Sequence, residues 1–334
     1  MHTGHHYGYL KTIRWSRRNL LWPLAWSALA TGAYELAHVP VFSIPWLPMS
    51  LIGVAVAFYL GFKNSASYDR LWEARKIYGA IVNASRSWAF SARDLVSTDY
   101  GGDADVAAAH SRLVHRHVAW MDALRHQLRK VKSWEHDTDY HQGLREYLQV
   151  AEYTEDVRAV LTPNLPAAEV DEVLGQLNPA ARLLANQSRD LARLRAAGVL
   201  DGFGHTLLQE LLVELMTQQG KAERIKNFPF PRQYATVNSM FAILFAALVP
   251  FGLLHEFHEL GEHMVWLTIP FGGIVGWVFL TADMIGDWSE NPFEGLANDV
   301  PITAMSRGIE RDVRQMLDET ELPDPRPIVD MIQT

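Results

Sequence analysis

Cysteine is absent from all 334 residues of the chain. This absence excludes disulfide bonds, cysteine-based zinc sites and catalysis by a thiol. The chain also lacks the positive charge that a general nucleic-acid binder carries, since its formal net charge is −8 at pH 7. We therefore expect no nucleic acid among its partners.

Motifs of enzymes and of cofactor-binding folds are missing as well. The sequence contains no P-loop, no dinucleotide-binding motif and no pattern of a Ser-His-Asp triad. The chain begins with MHTGHHYGYLKTIRWSRRN, which lacks the apolar stretch and small-residue cleavage site of a secretory signal. We expect no enzymatic activity, no cofactor and no cleaved leader.

Four apolar stretches are long enough to cross a bilayer, which takes about 20 helical residues. The mean hydropathy of −0.06 is too low for a chain that lies wholly in lipid, so the rest should be soluble. Short connections pair the stretches into two antiparallel hairpins, and Pro250 and Pro270 are expected to kink or break the spans that contain them. The predicted spans are 20–39, 41–62, 234–254 and 264–285.

Lysine and arginine flank these spans on one side only, which sets their orientation. The two hairpin turns, around residues 40 and 258, contain neither residue type. Both termini and the long middle segment should therefore be cytoplasmic. The positive residues before the first span are Lys11, Arg14, Arg17 and Arg18.

The middle of the chain is polar and helical in pattern, without strand-like alternation. We predict about six helices there, the first continuing straight out of the second span, and a poorly ordered tail after Pro323. The predicted fold is an all-α membrane protein, with four transmembrane helices and a cytoplasmic helical domain assembled around a central axis. Its predicted divisions are 1–64 with the first two spans, 65–226 as the cytoplasmic domain, 227–286 with the last two spans, and 287–334 as a cytoplasmic C-terminal segment.

The second span carries an apolar stripe, because Val54, Phe58 and Phe62 lie four residues apart and share a helix face. In a ring of identical subunits this stripe would form a narrow hydrophobic neck, which gates by dewetting. The partly positive edges of phenylalanine rings tolerate a passing anion. Spacing alone, however, favours ordinary core packing within one subunit.

A stripe of small residues adjoins the apolar one and would allow another helix backbone to approach closely. Its members are Gly53, Ala57 and Gly61. If subunits meet through this helix-packing stripe, the bulky stripe points away from the contact.

Four segments of the sequence resemble the bestrophin family of ion channels, in particular its bacterial branch. The resemblance follows the whole chain in order and is loose only in the middle helices. The segments are LGFKNSASYDRLWEARKIYG (60–79), NFPFPRQYATV (227–237), VGWVFLTADMIGDWSENPF (275–293) and NDVPITAMSRGIERDVRQML (298–317).

The resemblance implies a homopentamer of four-span subunits around one axial pore, in the bacterial cytoplasmic membrane. Its partners would be membrane lipid and small inorganic ions. The neck of the family falls on Val54, Phe58 and Phe62, and its cytoplasmic aperture falls on Phe230, for which an anchor in a buried turn is the alternative. The family implies chloride or, in the bacterial branch, sodium as the ion. A non-conducting scaffold or signalling protein is the competing hypothesis.

One departure from the family concerns calcium. Animal bestrophins follow Asn-Pro-Phe with a run of aspartates that binds this ion, whereas here Asn291-Pro292-Phe293 precedes Glu294-Gly295-Leu296-Ala297. Calcium needs six or more oxygen ligands, so we predict no calcium site.

Three other polar features of the sequence are candidate sites. The histidines and glutamates of the turn before the fourth span, called the outer-turn cluster, are interpreted as a solvated turn. The N-terminal histidines are interpreted as a flexible tail, so no metal site is predicted. Asp283 is an acid inside a span and should face a cavity or a neighbouring arginine. The outer-turn cluster comprises His255, Glu256, His258, Glu259, Glu262 and His263, and the N-terminal histidines are His2, His5 and His6.

Overall fold

The computed structural model describes residues 1–36 and 44–334. Regular structure within them is helical, which confirms the all-α class. The predicted end of the first span and the start of the second, 37–39 and 41–43, lie outside these residues. The α-helices are α1 (Tyr9–Glu35), α2 (Trp46–Leu95), α3 (Val106–Arg129), α4 (Asp139–Tyr147), α5 (Val157–Leu161), α6 (Ala167–Leu174), α7 (Pro179–Ala196), α8 (Gly202–Asn227), α9 (Arg232–Leu260), α10 (Thr268–Asp287) and α11 (Ile302–Gln315).

The chain divides into two compact units. The span-bearing unit comprises Gly4–Leu71 and Pro229–Asn291, and the polar unit comprises Met1–Thr3, Trp72–Phe228 and Pro292–Thr334. The C-terminal segment thus belongs with the middle helices. Helix α2 runs without a break for 50 residues, so the prediction that the second span continues into the middle segment is confirmed.

Three of the described helices are long and apolar enough to cross a membrane. They are Trp46–Leu95, Arg232–Leu260 and His263–Asp287. Helix α1, which carries most of the first predicted span, is not among them, so a total of four spans stays a prediction.

Close helix contacts organise the span-bearing unit. Helix α1 packs along α10, where a Cβ added at Gly276 would lie 2.5 Å from Cβ of Pro23. Helix α9 continues through Pro250, and Pro270 lies in the first turn of α10, where the lack of an N–H breaks no helical hydrogen bond. The predicted helix break is therefore wrong at Pro250, where a kink stays a prediction, and at Pro270 the proline lies where a 3₁₀-helix (Glu262–Leu267) gives way to α10.

Buried charges hold the polar unit together. Arg125 and Arg129 of α3 approach Glu152, whose side chain is fully buried. Burial works against the ionised form of Glu152, but the two guanidinium groups outweigh it and lower the pKa to about 2.

The C-terminal tail is bound to this unit. Arg326 pairs with Glu155 at 2.7 Å, and the carbonyl of Thr334 accepts a hydrogen bond from the N–H of Ala304. His2 and Ile332 form an antiparallel bridge. The prediction of a poorly ordered tail is wrong, because partners distant in sequence bind it.

Candidate functional site: the outward face of the second helix

The apolar stripe of α2 points away from the core of its own chain. Val54, Phe58 and Phe62 are 70%, 64% and 55% exposed, and the rings of Phe58 and Phe62 stand edge to face at 4.5 Å. The opposite side of the helix, with Met49 and Val56, packs into a core against α9. The stripe therefore does not serve as the core of one subunit.

The three small residues of α2 lie in two different environments. Gly53 is buried, and a Cβ added there would lie 2.7 Å from the ring of Phe245 in α9. Ala57 and Gly61 are exposed, and a Cβ at Gly61 would meet no atom within 4 Å. Of the three small residues, Ala57 and Gly61 are therefore open to contact with another copy, and Gly53 is not.

A shallow apolar cleft of about 410 Å³ lies at the Phe62 end of the stripe, between Phe62 and the start of α9. Phe230 contributes to it but is only 3% exposed, and its ring lies 5.9 Å from that of Tyr234. This burial favours the anchor role for Phe230, and its role as a cytoplasmic aperture stays a prediction. The cleft is lined by Phe62, Ala66, Arg70, Phe230, Pro231 and Tyr234.

The residue after Phe62 is a buried lysine that holds α2 to α10. The ammonium group of Lys63 lies 2.7 Å from Oδ1 of Asp283 and 2.5 Å from Oδ1 of Asp287. Ser239 of α9 donates a hydrogen bond of 2.7 Å to Oδ2 of Asp283. The expectation that Asp283 faces an arginine is wrong, since its cationic partner is Lys63, and the alternative of a cavity stays a prediction.

The sequence analysis did not single out Lys63 as a partner of Asp283. The signal that could have found the pair was a single cation and a single acid, each at the end of a different apolar span. Such groups are costly in lipid unless they are paired.

A second ionic contact fixes the start of α9. Arg232 donates to Oε1 of Glu290 at 2.8 Å, and Nε of Arg70 donates to the backbone carbonyl of Glu290 at 2.9 Å. Burial raises the pKa of Glu290, although Arg232 works in the opposite direction. The cation of Arg232 is thereby tied to the segment that follows α10.

The acidic loop after Asn-Pro-Phe uses its carboxylates internally. Asp299 accepts hydrogen bonds from the backbone N–H groups of Phe293, Gly295 and Val300 and from Arg129, all between 2.6 and 2.7 Å. Phe293 and Gly295 adopt positive φ values of 76° and 82°, and in this left-handed conformation their N–H groups point toward the carboxylate of Asp299.

The neighbouring Glu294 is occupied in the same way. It accepts hydrogen bonds from the backbone N–H and the ring of His136, at 3.0 and 2.9 Å. The described residues contain no group of three or more His, Asp or Glu side chains that could hold a metal ion. In the outer turn, His255 lies 3.5 Å from Glu259.

Comparison with known proteins identifies the family. Residues 16–315 match the family described as Bacterial/Fungal Bestrophin protein. The chain therefore belongs to the bacterial and fungal bestrophins, as the resemblance in its sequence predicted.

Named relatives cover most of the chain. The voltage-dependent anion channel-forming protein YneE of Escherichia coli (strain K12) is 28% identical over 325 residues, 92% of this chain and 93% of the relative. The voltage-dependent anion channel-forming protein RSc3414 of Ralstonia nicotianae is 31% identical over 299 residues, 89% of this chain and 86% of the relative. Both are named for channel formation and not for an enzymatic reaction.

Solved structures agree with this assignment. A crystal structure of a bacterial bestrophin homolog from Klebsiella pneumoniae matches with a TM-score of 0.76 and 29% identity. The match covers 91% of this chain and 99% of that protein.

Proposed function

We propose that this protein is a subunit of an ion channel of the bacterial cytoplasmic membrane, with Val54, Phe58 and Phe62 lining the neck of its pore. The observation that carries the proposal is the exposure of this stripe on a helix able to span a membrane. The names of the relatives support channel formation.

Assembly as a homopentamer would place five copies of α2 around one axis. The exposed Ala57 and Gly61 suit a close contact between neighbouring copies, and the bulky stripe then faces the axis. The neck is uncharged, so it sets diameter and wetting but not the sign of the ion. Because the relatives are named for anion channels, we propose chloride as the ion and keep sodium as the alternative.

Ion flux through purified protein in liposomes tests the proposal. Under asymmetric NaCl, the reversal potential should lie toward the chloride equilibrium potential. A reversal potential near that of sodium would overturn the selectivity and leave the channel intact. If neither ion passes, the channel proposal fails and the scaffold hypothesis takes its place.

The mass of the assembly tests the symmetry separately. Five chains of 37.8 kDa should be counted in the detergent-solubilised particle after subtraction of bound detergent. A particle with one or two chains would contradict an axial pore lined by five copies of α2.

A further inference from the structure

Charge is unevenly distributed along the chain. The first acidic residue is Glu35, so residues 1–34 contain no carboxylate side chain, although the whole chain carries a net charge of −8. Four cations fall within the first ten residues of α1 (Lys11, Arg14, Arg17 and Arg18). A basic cluster beside an apolar helix segment typically attracts anionic lipid headgroups.

Helix geometry collects these four cations on one side of α1. At about 100° per residue, they occupy an arc of about 120°. The opposite side packs against α10, where Ser16 accepts a hydrogen bond from Trp277 at 2.9 Å and Asn19 donates to the carbonyl of Leu280 at 3.1 Å. The cations therefore point away from the helix pair.

The three arginines of this arc are available to a ligand. Arg14, Arg17 and Arg18 are exposed, and within the part of the chain that the structure describes they form no ion pair. Arginine matches phosphate with two parallel hydrogen bonds, and its charge cannot be removed at physiological pH.

The same side of α1 turns apolar one turn further along. Leu21 and Leu29 are 56% and 63% exposed, and Ala25 lies exposed between them. The first of these, Leu21, lies about 4.5 Å along the axis from Arg18. A phosphate held by the arginines would thus place its attached acyl chains beside an apolar helix surface.

An aromatic pair lies at the same height along α1 as the basic arc. The rings of Trp15 and Trp288 stand edge to face at 5.4 Å, and Trp288 directly follows the end of α10 at Asp287. Tryptophan concentrates at the boundary between headgroups and acyl chains. The basic arc therefore lies at headgroup depth.

We propose that the outward side of α1 is a binding site for an anionic phospholipid. The arginines bind the phosphate, and Leu21, Ala25 and Leu29 contact an acyl chain. A zwitterionic lipid also carries a phosphate, but its cationic headgroup is repelled by the four positive charges of the arc. The site is separate from the apolar stripe of α2 and does not depend on conduction.

The test uses the full-length protein in neutral detergent and short-chain phosphatidylglycerol as the probe. The lipid should raise the unfolding temperature saturably, whereas phosphatidylcholine of equal chain length and glycerol phosphate should not. Replacement of Arg14, Arg17 and Arg18 by Gln should weaken the apparent affinity by at least about tenfold, because three charge contacts with the lipid are lost. Replacement of all three by Lys should retain a preference for phosphatidylglycerol.

A matched control removes the same charge elsewhere. Gln at Arg193, Arg195 and Lys221, three exposed cations of α7 and α8, should leave phosphatidylglycerol binding unchanged. Equal stabilisation by both lipids, or equal loss in the control, would overturn the proposal. Equal stabilisation by glycerol phosphate would also overturn it, in favour of a free-phosphate site. If the triple Gln variant fails to fold, the comparison of the two lipids on the wild-type protein still decides.

Discussion

Lys63 and Asp283 form a buried ion pair, with 2.7 Å between the ammonium nitrogen and Oδ1, that joins α2 to α10. Lys63 is fully buried and directly follows Phe62, the last residue of the outward apolar stripe. The end of that stripe is therefore fixed by a charge contact between residues 220 positions apart in sequence.

Replacing Lys63 by Met should destabilise the protein, because Asp283 is left buried without its cation. Breaking one side of a buried pair costs about 3–5 kcal/mol. The double variant Lys63→Met/Asp283→Asn should recover most of this loss, since Asp287 is 37% exposed and can be hydrated. The measurement is the unfolding temperature in detergent. A double variant no more stable than the single one would contradict the pairing argument.

Replacing Phe58 by Ala should raise single-channel conductance about severalfold, because removal of the ring widens and wets the proposed neck. Phe271→Ala is the matched control, since it removes the same atoms from an exposed position of α10. Planar-bilayer recordings compare the two variants. Equal conductance in Phe58→Ala and the wild type would contradict a pore-lining role.

Replacing Gly61 by Leu should reduce the fraction of assembled oligomer while leaving the fold of each subunit intact. A Cβ added at this position lies in open space, with no contact within 4 Å, so the larger side chain is expected to clash with another copy and not with its own chain. Gly308→Leu, on α11, is the control, because that position is equally open. Size-exclusion chromatography measures assembly, and circular dichroism measures the fold. Normal assembly of Gly61→Leu would place the interface elsewhere.

Stability should fall in mild acid because of His117. Burial between Trp88 and Trp120 lowers the pKa of His117 to about 3, and within the described residues neither ring nitrogen has a hydrogen-bond partner. Between pH 7 and 5 the unfolded chain gains a proton that the folded chain excludes. The free energy of unfolding should therefore fall by about 2 kcal/mol over this range.

Denaturant unfolding at the two pH values measures this change. In His117→Leu, the fall in the free energy of unfolding between pH 7 and pH 5 should be smaller by about 2 kcal/mol. In His205→Leu, a control at the part-exposed start of α8, the fall should be the same as in the wild type. An unaltered pH dependence in His117→Leu would show that other groups cause the loss of stability.

Millimolar calcium should leave both the unfolding temperature and the ion flux unchanged. The carboxylates of Asp299 and Glu294 already accept hydrogen bonds from Arg129, from His136 and from backbone N–H groups. An ion would have to displace these donors before it could collect enough oxygen ligands. A saturable calcium-dependent rise in unfolding temperature would refute this expectation.

Local patterns in the sequence predicted much of the fold. The lack of a breaker after the second span predicted the long helix α2, and the absence of alternation predicted an all-α chain. Helical spacing also grouped Val54, Phe58 and Phe62 on one face, which the structure exposes. In each case the deciding interaction lies within a few residues of the chain.

The remaining features depend on contacts between distant residues. The partner of Asp283, the burial of Phe230 and the binding of the tail by Glu155 each need a side chain from another helix. Gly53 was grouped with Ala57 by spacing, but the ring of Phe245 determines its environment. Periodicity predicts which residues share one side of a helix, but it does not predict which side chains of other helices pack against that side.

The contact between Gly53 and Phe245 offers a way to change the width of the proposed pore from the buried side of α2. The ring sets how closely α2 rests on α9, yet it lies on the side of α2 opposite the exposed stripe. Substituting Phe245 with smaller or larger side chains would shift α2 as a whole without changing the identity of any lining residue. The bore of the proposed pore could then be graded while its chemical surface stays constant, separating the effect of width from that of polarity.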